Sequence, residues 1–291
     1  MSPWILAIRP KTLPASIAPV MIGAAMAYGD GDFHILSAIV CLLAALLIQI
    51  GTNLANDYFD FKKGADVNRV GPIRVTQAGL IKPEAVFKAT IIVFILALFA
   101  CGYLVYQGGL TIAVIALAAI VSGILYTAGK KPLGYLGLGE LFVFIFFGPV
   151  AVGGTYYIQT LDLNGAVVLG GFGPGFLSCA ILAVNNLRDI EGDRKVGKMT
   201  LAVRFGKEFA MGEYLFCILA ATISPFLIFL ITKDHLGMLS ASIVGFLAIG
   251  TVRIVMANSQ ADALNFALAS TGRWLLLYSV LFSIGWIVCS R

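Results

Sequence analysis

Two stretches of this sequence set amides and carboxylates at helical spacing. The first reads Asn53-Leu54-Ala55-Asn56-Asp57-Tyr58-Phe59-Asp60-Phe61-Lys62-Lys63-Gly64-Ala65-Asp66. The second reads Asn185-Asn186-Leu187-Arg188-Asp189-Ile190-Glu191-Gly192-Asp193-Arg194-Lys195. Asn56 and Asp60 stand four apart, Asp57 and Asp60 three apart, and Asn185, Asp189 and Asp193 repeat the interval of four. If the helix continues through them, these intervals stack the side chains on one face. Such a ladder presents hard oxygen ligands of the kind Mg²⁺ takes, an ion that keeps waters and is usually completed by substrate phosphates. The partial negative charge of a helix C-terminus favours a cation at the same place.

Basic residues follow both stretches: Arg69 and Arg74 after the first, Lys198 and Arg204 after the second. Two facing carboxylate sets with cations around the rim form a receptor for a metal-bound diphosphate. The metal neutralises a leaving group, and the cations stabilise charge as a carbon–oxygen bond breaks. A third segment, Tyr126-Thr127-Ala128-Gly129-Lys130-Lys131-Pro132-Leu133-Gly134, offers Tyr126 to a carbocation and Lys130 or Lys131 to diphosphate. An interfacial tyrosine followed by basic anchors suits the same residues.

The elements that must carry these groups are apolar helices. Only 12% of the 291 residues are charged and 59% are hydrophobic, with a mean hydropathy of +0.94. A soluble domain carries roughly 25% charged residues, so most of this surface must face lipid. A spanning helix takes about 20 mostly apolar residues. Nine runs approach that length: Leu13–Tyr28, Ile35–Ala55, Ala89–Tyr106, Leu110–Ala128, Leu141–Tyr157, Ala166–Val184, Tyr214–Ile231, Met238–Met256 and Trp274–Val288. They are continuously apolar rather than alternating, which favours helices over a barrel. The expected fold is an all-α polytopic membrane protein forming one domain over residues 1–291, without a cleavable leader.

Threading nine spans from a cytoplasmic N-terminus puts every basic residue on one side except Lys233 and Arg291. The positive-inside rule makes that side cytoplasmic. Both acidic stretches fall there, each at the end of an inward-running span, whereas the opposite loops hold Asp30, Asp32, Asp162 and Asp234. Cys41, Cys101, Cys179, Cys217 and Cys289 lie in or beside apolar runs without CxxC spacing, and read as small buried hydrophobes. His34 and His235 sit in loops away from the acidic stretches, which argues against a zinc or haem site.

With these segments the chain resembles the UbiA superfamily of intramembrane prenyltransferases along nearly its whole length, most closely its 1,4-dihydroxy-2-naphthoate (MenA) branch. The resemblance rests on Asn53–Asp66 with Gly71-Pro72-Ile73-Arg74, and on Asn185–Asp193 with Gly197-Lys198-Met199-Thr200-Leu201-Ala202-Val203-Arg204-Phe205-Gly206. Arg9-Pro10-Lys11-Thr12-Leu13-Pro14 and Leu138-Gly139-Glu140-Leu141 leading to Phe147-Gly148-Pro149 add to it. It implies nine transmembrane helices around a central cavity with a cytoplasmic cap. It also implies Mg²⁺-dependent transfer of a polyprenyl group from its diphosphate to 1,4-dihydroxy-2-naphthoate, with loss of CO₂, giving demethylmenaquinol for menaquinone biosynthesis. Carried over residue by residue, Asn56, Asp60 and Asp66 match the first motif's metal ligands, and Asn185, Asn186, Asp189 and Asp193 the second's. Asp57 is not an acid in all relatives, and Glu140 stands where an aspartate is also common.

Both lines of reasoning lead to one expected mechanism. Diphosphate is clamped and ionises to an allylic cation, the electron-rich ring attacks, and carboxylate loss restores aromaticity. Asp60, Asp189, Tyr126 and Lys198 are the expected catalytic residues, and Arg9 the expected partner of the aromatic carboxylate. The expected location is a bacterial cytoplasmic (inner) membrane, with substrates and bilayer as partners, and neither nucleic acid nor an obligate protein partner. A sister enzyme using 4-hydroxybenzoate, homogentisate or protohaem would share the diphosphate machinery. A secondary transporter would instead place its charges near the bilayer midplane.

Overall fold

The computed structural model describes residues 2–65, 71–257 and 260–289. Asp66 and Arg69 lie outside them. Among the described residues the protein is all-α. A short helix α1 (Pro3–Ile8) and a 3-10 turn (Pro10–Thr12) lead into α2 (Pro14–Gly29), which is bent by 50° from that segment. Next come α3 (Ile35–Lys62), α4 (Pro83–Leu125), α5 (Gly139–Phe147), α6 (Pro149–Thr160), α7 (Gly165–Gly170) and α8 (Phe172–Lys195). The chain finishes with α9 (Leu201–Phe205), α10 (Lys207–Thr232), a 3-10 stretch (Leu236–Ser242), α11 (Ile243–Leu247), α12 (Ile249–Met256) and α13 (Ala261–Val288).

At 43 residues, α4 would run about 65 Å, twice the ~30 Å of hydrocarbon it has to cross. Gly109 divides it with φ 65° and ψ −152°, a backbone region essentially reserved for glycine. Both ends of α4 return to the same end of α3. Val86 packs with Leu54, and Thr127, just past Leu125, donates to Asn56. The element is therefore a hairpin of two spans, matching the two apolar runs on either side of Gly109. With the bent N-terminal pair taken as one span, the described residues form nine apolar helical segments.

Two other spans are broken at glycine, and the breaks touch. Gly148 separates α5 from α6, and Gly171 separates α7 from α8. A Cβ on Gly148 would lie 2.6 Å from the Gly171 carbonyl oxygen, and one on Gly171 would collide with the Pro149 backbone. Backbone approach this close gives membrane helices the packing that the hydrophobic effect does not supply between them in lipid. Hydroxyls add polar links in the buried layer formed by α8, α10 and α13. Tyr214 bonds Thr271 at 3.0 Å and Tyr278 bonds Ser224 at 2.9 Å. Large apolar side chains such as Phe99, Leu110 and Phe246 are more than 70% exposed on the outside, the arrangement of a chain whose outer solvent is lipid.

Several helices run beyond the apolar segments that announce them, α3, α8 and α13 among them. The second span continues from Ala55 to Lys62, the sixth from Val184 to Lys195, and the last begins at Ala261 rather than Trp274. An apolar run ends where side chains leave lipid, whereas the helix ends where its backbone bonds do. The first two extensions carry both acidic motifs.

Candidate active site

The extensions of α3 and α8 flank the mouth of a cavity of about 350 Å³. Its inner length is apolar, with Val20, Cys41, Leu104, Ile112 and Ile158 far from the motifs. Its mouth is polar: Arg9, Asn56, Asp60, Arg74, Tyr126, Asn185, Asn186 and Lys198 all line it. These eight expected site residues come from six separated parts of the chain.

On the α3 side, Asp60 is 4% exposed. One of its oxygens accepts from Arg74 Nη2 at 3.2 Å and the other from Tyr135 Oη at 3.1 Å. Asn56 Oδ1 accepts from Thr127 Oγ1 at 2.8 Å, leaving a second lone pair on that carbonyl. One turn deeper, Asn53 Nδ2 donates to Ile8 O at 2.9 Å and to Thr12 Oγ1 at 3.2 Å. These bonds hold the N-terminal segment, and with it Arg9, against the cavity. Arg9 itself is left-handed (φ 56°, ψ 70°), an uncommon state for a non-glycine residue.

Asp57, expected beside Asp60 as a ligand, does not line the cavity. Its oxygens accept from the backbone N–H groups of Val75 and Thr76 at 3.2 and 3.0 Å. The i,i+3 step turns it far enough around α3 to face the loop before α4. That loop presents Arg74, so Asp57 pins the two residues that follow it.

On the α8 side, Asn185 Oδ1 accepts from Arg188 Nη2 at 2.8 Å, and Asn186 Nδ2 donates to Glu140 Oε1 at 2.8 Å. Asp189 and Asp193 stand behind this wall rather than in it. Arg188 clasps Asp189 through Nε at 2.8 Å and Nη2 at 2.7 Å, and Lys198 Nζ lies 3.3 Å from Asp193. Tyr126 lies between the two sides, within electrostatic reach of Asp60, Glu140 and Asp193.

Three expected cations lie elsewhere. Lys130 and Lys131 are exposed on the turn after α4 and do not line the cavity. Arg204 donates to Met199 O at 3.0 Å and Leu136 O at 2.9 Å. With Met199 N donating to Tyr135 O at 3.2 Å, it zips two loops into a cap over the mouth. Their basic character was legible, but their direction depends on the turn at Gly129 and the fold of that cap.

Arg188, Thr127, Tyr135 and Lys63 were missed as site residues. Arg188 is i+3 from Asn185, a spacing that announces their bond; nothing local announces the others. Lys63 Nζ donates to Thr127 O at 2.6 Å and lies 4.6 Å from the Tyr135 ring centroid. Burial lowers its pKa from the ordinary lysine value, against an opposing pull from Asp60.

Among the described residues no three acidic, His or Cys side chains converge as a complete protein cage. Mg²⁺ does not ask for one, since it is commonly held by one or two carboxylates with phosphates and water. The amide and carboxylate oxygens of Asn56 and Asp60, and of Asn185 with Asp189 one turn beyond, suit it as hard donors.

Comparison with known proteins agrees with this architecture. The profile of the UbiA prenyltransferase family matches residues 16–277. A 1,4-dihydroxy-2-naphthoate octaprenyltransferase from Haemophilus influenzae is 37% identical, over 98% of this chain and 96% of its own. The protein of the same name from Escherichia coli is 36% identical, over 97% and 94%. Among solved structures, a UbiA homologue from Archaeoglobus fulgidus bound to GPP and Mg²⁺ superposes with a TM-score of 0.66 at 17% identity, over 99% of this chain and all of that one. At such identity the superposition speaks to the fold alone. The family profile and the end-to-end relatives say more: this chain belongs to the UbiA prenyltransferase family.

Proposed function

We propose that this membrane prenyltransferase transfers a polyprenyl group from its diphosphate to 1,4-dihydroxy-2-naphthoate, releasing CO₂ and diphosphate and forming demethylmenaquinol. The observation that carries the reading is one cavity with a polar, doubly motif-bearing mouth and an apolar shaft. The shaft takes the tail and the mouth takes the diphosphate. The names of the relatives favour naphthoate as acceptor.

In and just behind the mouth, three motif carboxylates have a basic partner: Asp60 with Arg74, Asp189 with Arg188, Asp193 with Lys198. With substrate bound, Asp60 and Asp189 would be available as metal ligands, while Arg74 and Lys198 would reach phosphate oxygens. Asn56, Asp60, Asn185, Asn186 and Asp189 would hold Mg²⁺, which would neutralise the leaving group. Asp193, tied to Lys198, and Asp66 complete the proposed set. Arg74 and Lys198 stabilise the charge that gathers as the carbon–oxygen bond breaks and its electron pair leaves with diphosphate. Tyr126 presents its ring beside the allylic carbon, and the dry wall keeps water from it. The acceptor's carboxylate-bearing ring carbon then bonds that carbon with an electron pair from the ring. The ring–carboxylate bond breaks, its electrons return to the ring, and CO₂ departs.

Arg9 holds the acceptor's carboxylate from the N-terminal side of the mouth. The basic loops on the motif side support a cytoplasm-facing mouth, and the bacterial relatives favour a bacterial inner membrane. Product analysis with one prenyl diphosphate and a panel of aromatic acids tests the acceptor. Turnover of 1,4-dihydroxy-2-naphthoate at least tenfold above 4-hydroxybenzoate and homogentisate is expected; the reverse preference would overturn the acceptor and leave the diphosphate site standing.

A further inference from the structure

Arg273, expected in the loop before the last span, lies inside α13, about three turns from Ala261. It is exposed on the outer surface. Among the described residues its guanidinium has no carboxylate partner: Nη2 donates to Ser270 Oγ at 3.1 Å, and the group lies 5.6 Å from the Phe266 ring centroid. Both contacts precede Arg273 in the helix, so the side chain reaches back toward the start of α13. That start is level with the acidic motifs, because Arg188 Nη1 donates to Asn265 Oδ1 at 2.8 Å. A cation facing lipid within a span is costly unless it is paired or reaches the interface. This one climbs toward the headgroups on the motif side.

Beside it runs a groove of about 570 Å³ between Leu247, Gly250, Thr251 and Ile254 on one wall and Phe266, Ser270, Arg273 and Trp274 on the other. Trp274 Nε1 donates to Thr251 Oγ1 at 3.2 Å, tying the walls together. Gly250 leaves the floor open, since a Cβ there meets no atom within 4 Å. Arg253, also exposed, adds positive charge to the last turn of α12.

We infer that this groove binds an anionic phospholipid of the motif-side leaflet, its phosphate on Arg273 and an acyl chain along Leu247, Gly250 and Ile254. A cation at one end of an apolar trough matches a phosphate joined to hydrocarbon. A free phosphate would leave the trough unfilled, and a zwitterionic headgroup would bring its own cation toward two arginines. The site is separate from the central cavity and does not depend on which acceptor the enzyme uses.

Native mass spectrometry of the detergent-purified protein with added phosphatidylglycerol or phosphatidylcholine tests this. The wild type is expected to retain a phosphatidylglycerol adduct several-fold more than phosphatidylcholine. Arg273→Gln should lose that preference and Arg273→Lys keep part of it. Gly250→Leu should fill the trough and lose the adduct with its Tm undiminished, since no protein atom stands in its way. Equal retention of the two lipids by the wild type would overturn the inference. So would undiminished phosphatidylglycerol binding in Gly250→Leu, or a dimer in place of the lipid adduct.

Discussion

Asp57 and Asp60 stand three residues apart on one helix and do different work. Asp60 lines the cavity between Arg74 and Tyr135, whereas Asp57 spends both oxygens on the Val75 and Thr76 amides. Asp60→Ala should therefore lower kcat by about 10²–10³ in folded protein, the range for removing one preorganised electrostatic group, and raise the Mg²⁺ concentration for half-maximal activity, besides the stability lost when buried Arg74 loses its carboxylate. Asp57→Ala should act on stability alone: a loss of about 1–3 kcal/mol for two orphaned buried amides, with the Mg²⁺ concentration for half-maximal activity unchanged. A shift in that concentration without a fall in stability would return Asp57 to the metal site. Arg9→Lys keeps the charge and loses the planar fork that matches a carboxylate, so it should raise the KM for the aromatic acid and leave that for the prenyl diphosphate alone. The acidic spacing was readable at this scale because helical periodicity is local. What each carboxylate bonds was not, because Arg74, Tyr135 and the Val75 amide reach it through tertiary structure.

At the scale of elements, glycine decides where spans bend. Gly109 turns α4 into a hairpin with φ 65°, while Gly102, earlier in the same element, has open space around a Cβ. Gly109→Ala should cost about 1 kcal/mol or more, and Gly102→Ala should gain up to about that much. Thermal unfolding in one detergent compares the two; equal effects would mean that Gly109 is not the turn. The nine apolar runs were legible from hydropathy, including the two halves of α4, because the polar Gln107-Gly108-Gly109 gap interrupts them. The true ends of α3, α8 and α13 were not. Asp60, Asp189 and Asn265 lower the local hydropathy while remaining helical, held by Arg74 and Arg188 rather than by lipid. Arg273 was misplaced for the same reason.

Over the whole molecule, the exposed apolar exterior, the polar mouth and the apolar shaft suit a prenyltransferase, with room for a lipid-soluble tail beside a polar headgroup. Composition alone announced the membrane, and the paired motifs announced the diphosphate. A cap was implied only by the family resemblance; the bonds that build it between the loops after α4 and α8 were not readable, because they join residues such as Tyr135 and Met199, or Leu136 and Arg204, that are far apart along the chain. The decisive measurement is the release of radiolabelled CO₂ from carboxyl-labelled 1,4-dihydroxy-2-naphthoate by the purified protein in lipid with Mg²⁺ and geranylgeranyl diphosphate. Release that depends on Mg²⁺ and on the prenyl diphosphate, and that vanishes in Asp60→Ala and Asp189→Ala, is the predicted result. Folded protein that releases no CO₂ with this acceptor, or that releases it equally in both variants, would contradict the proposed reaction or its site.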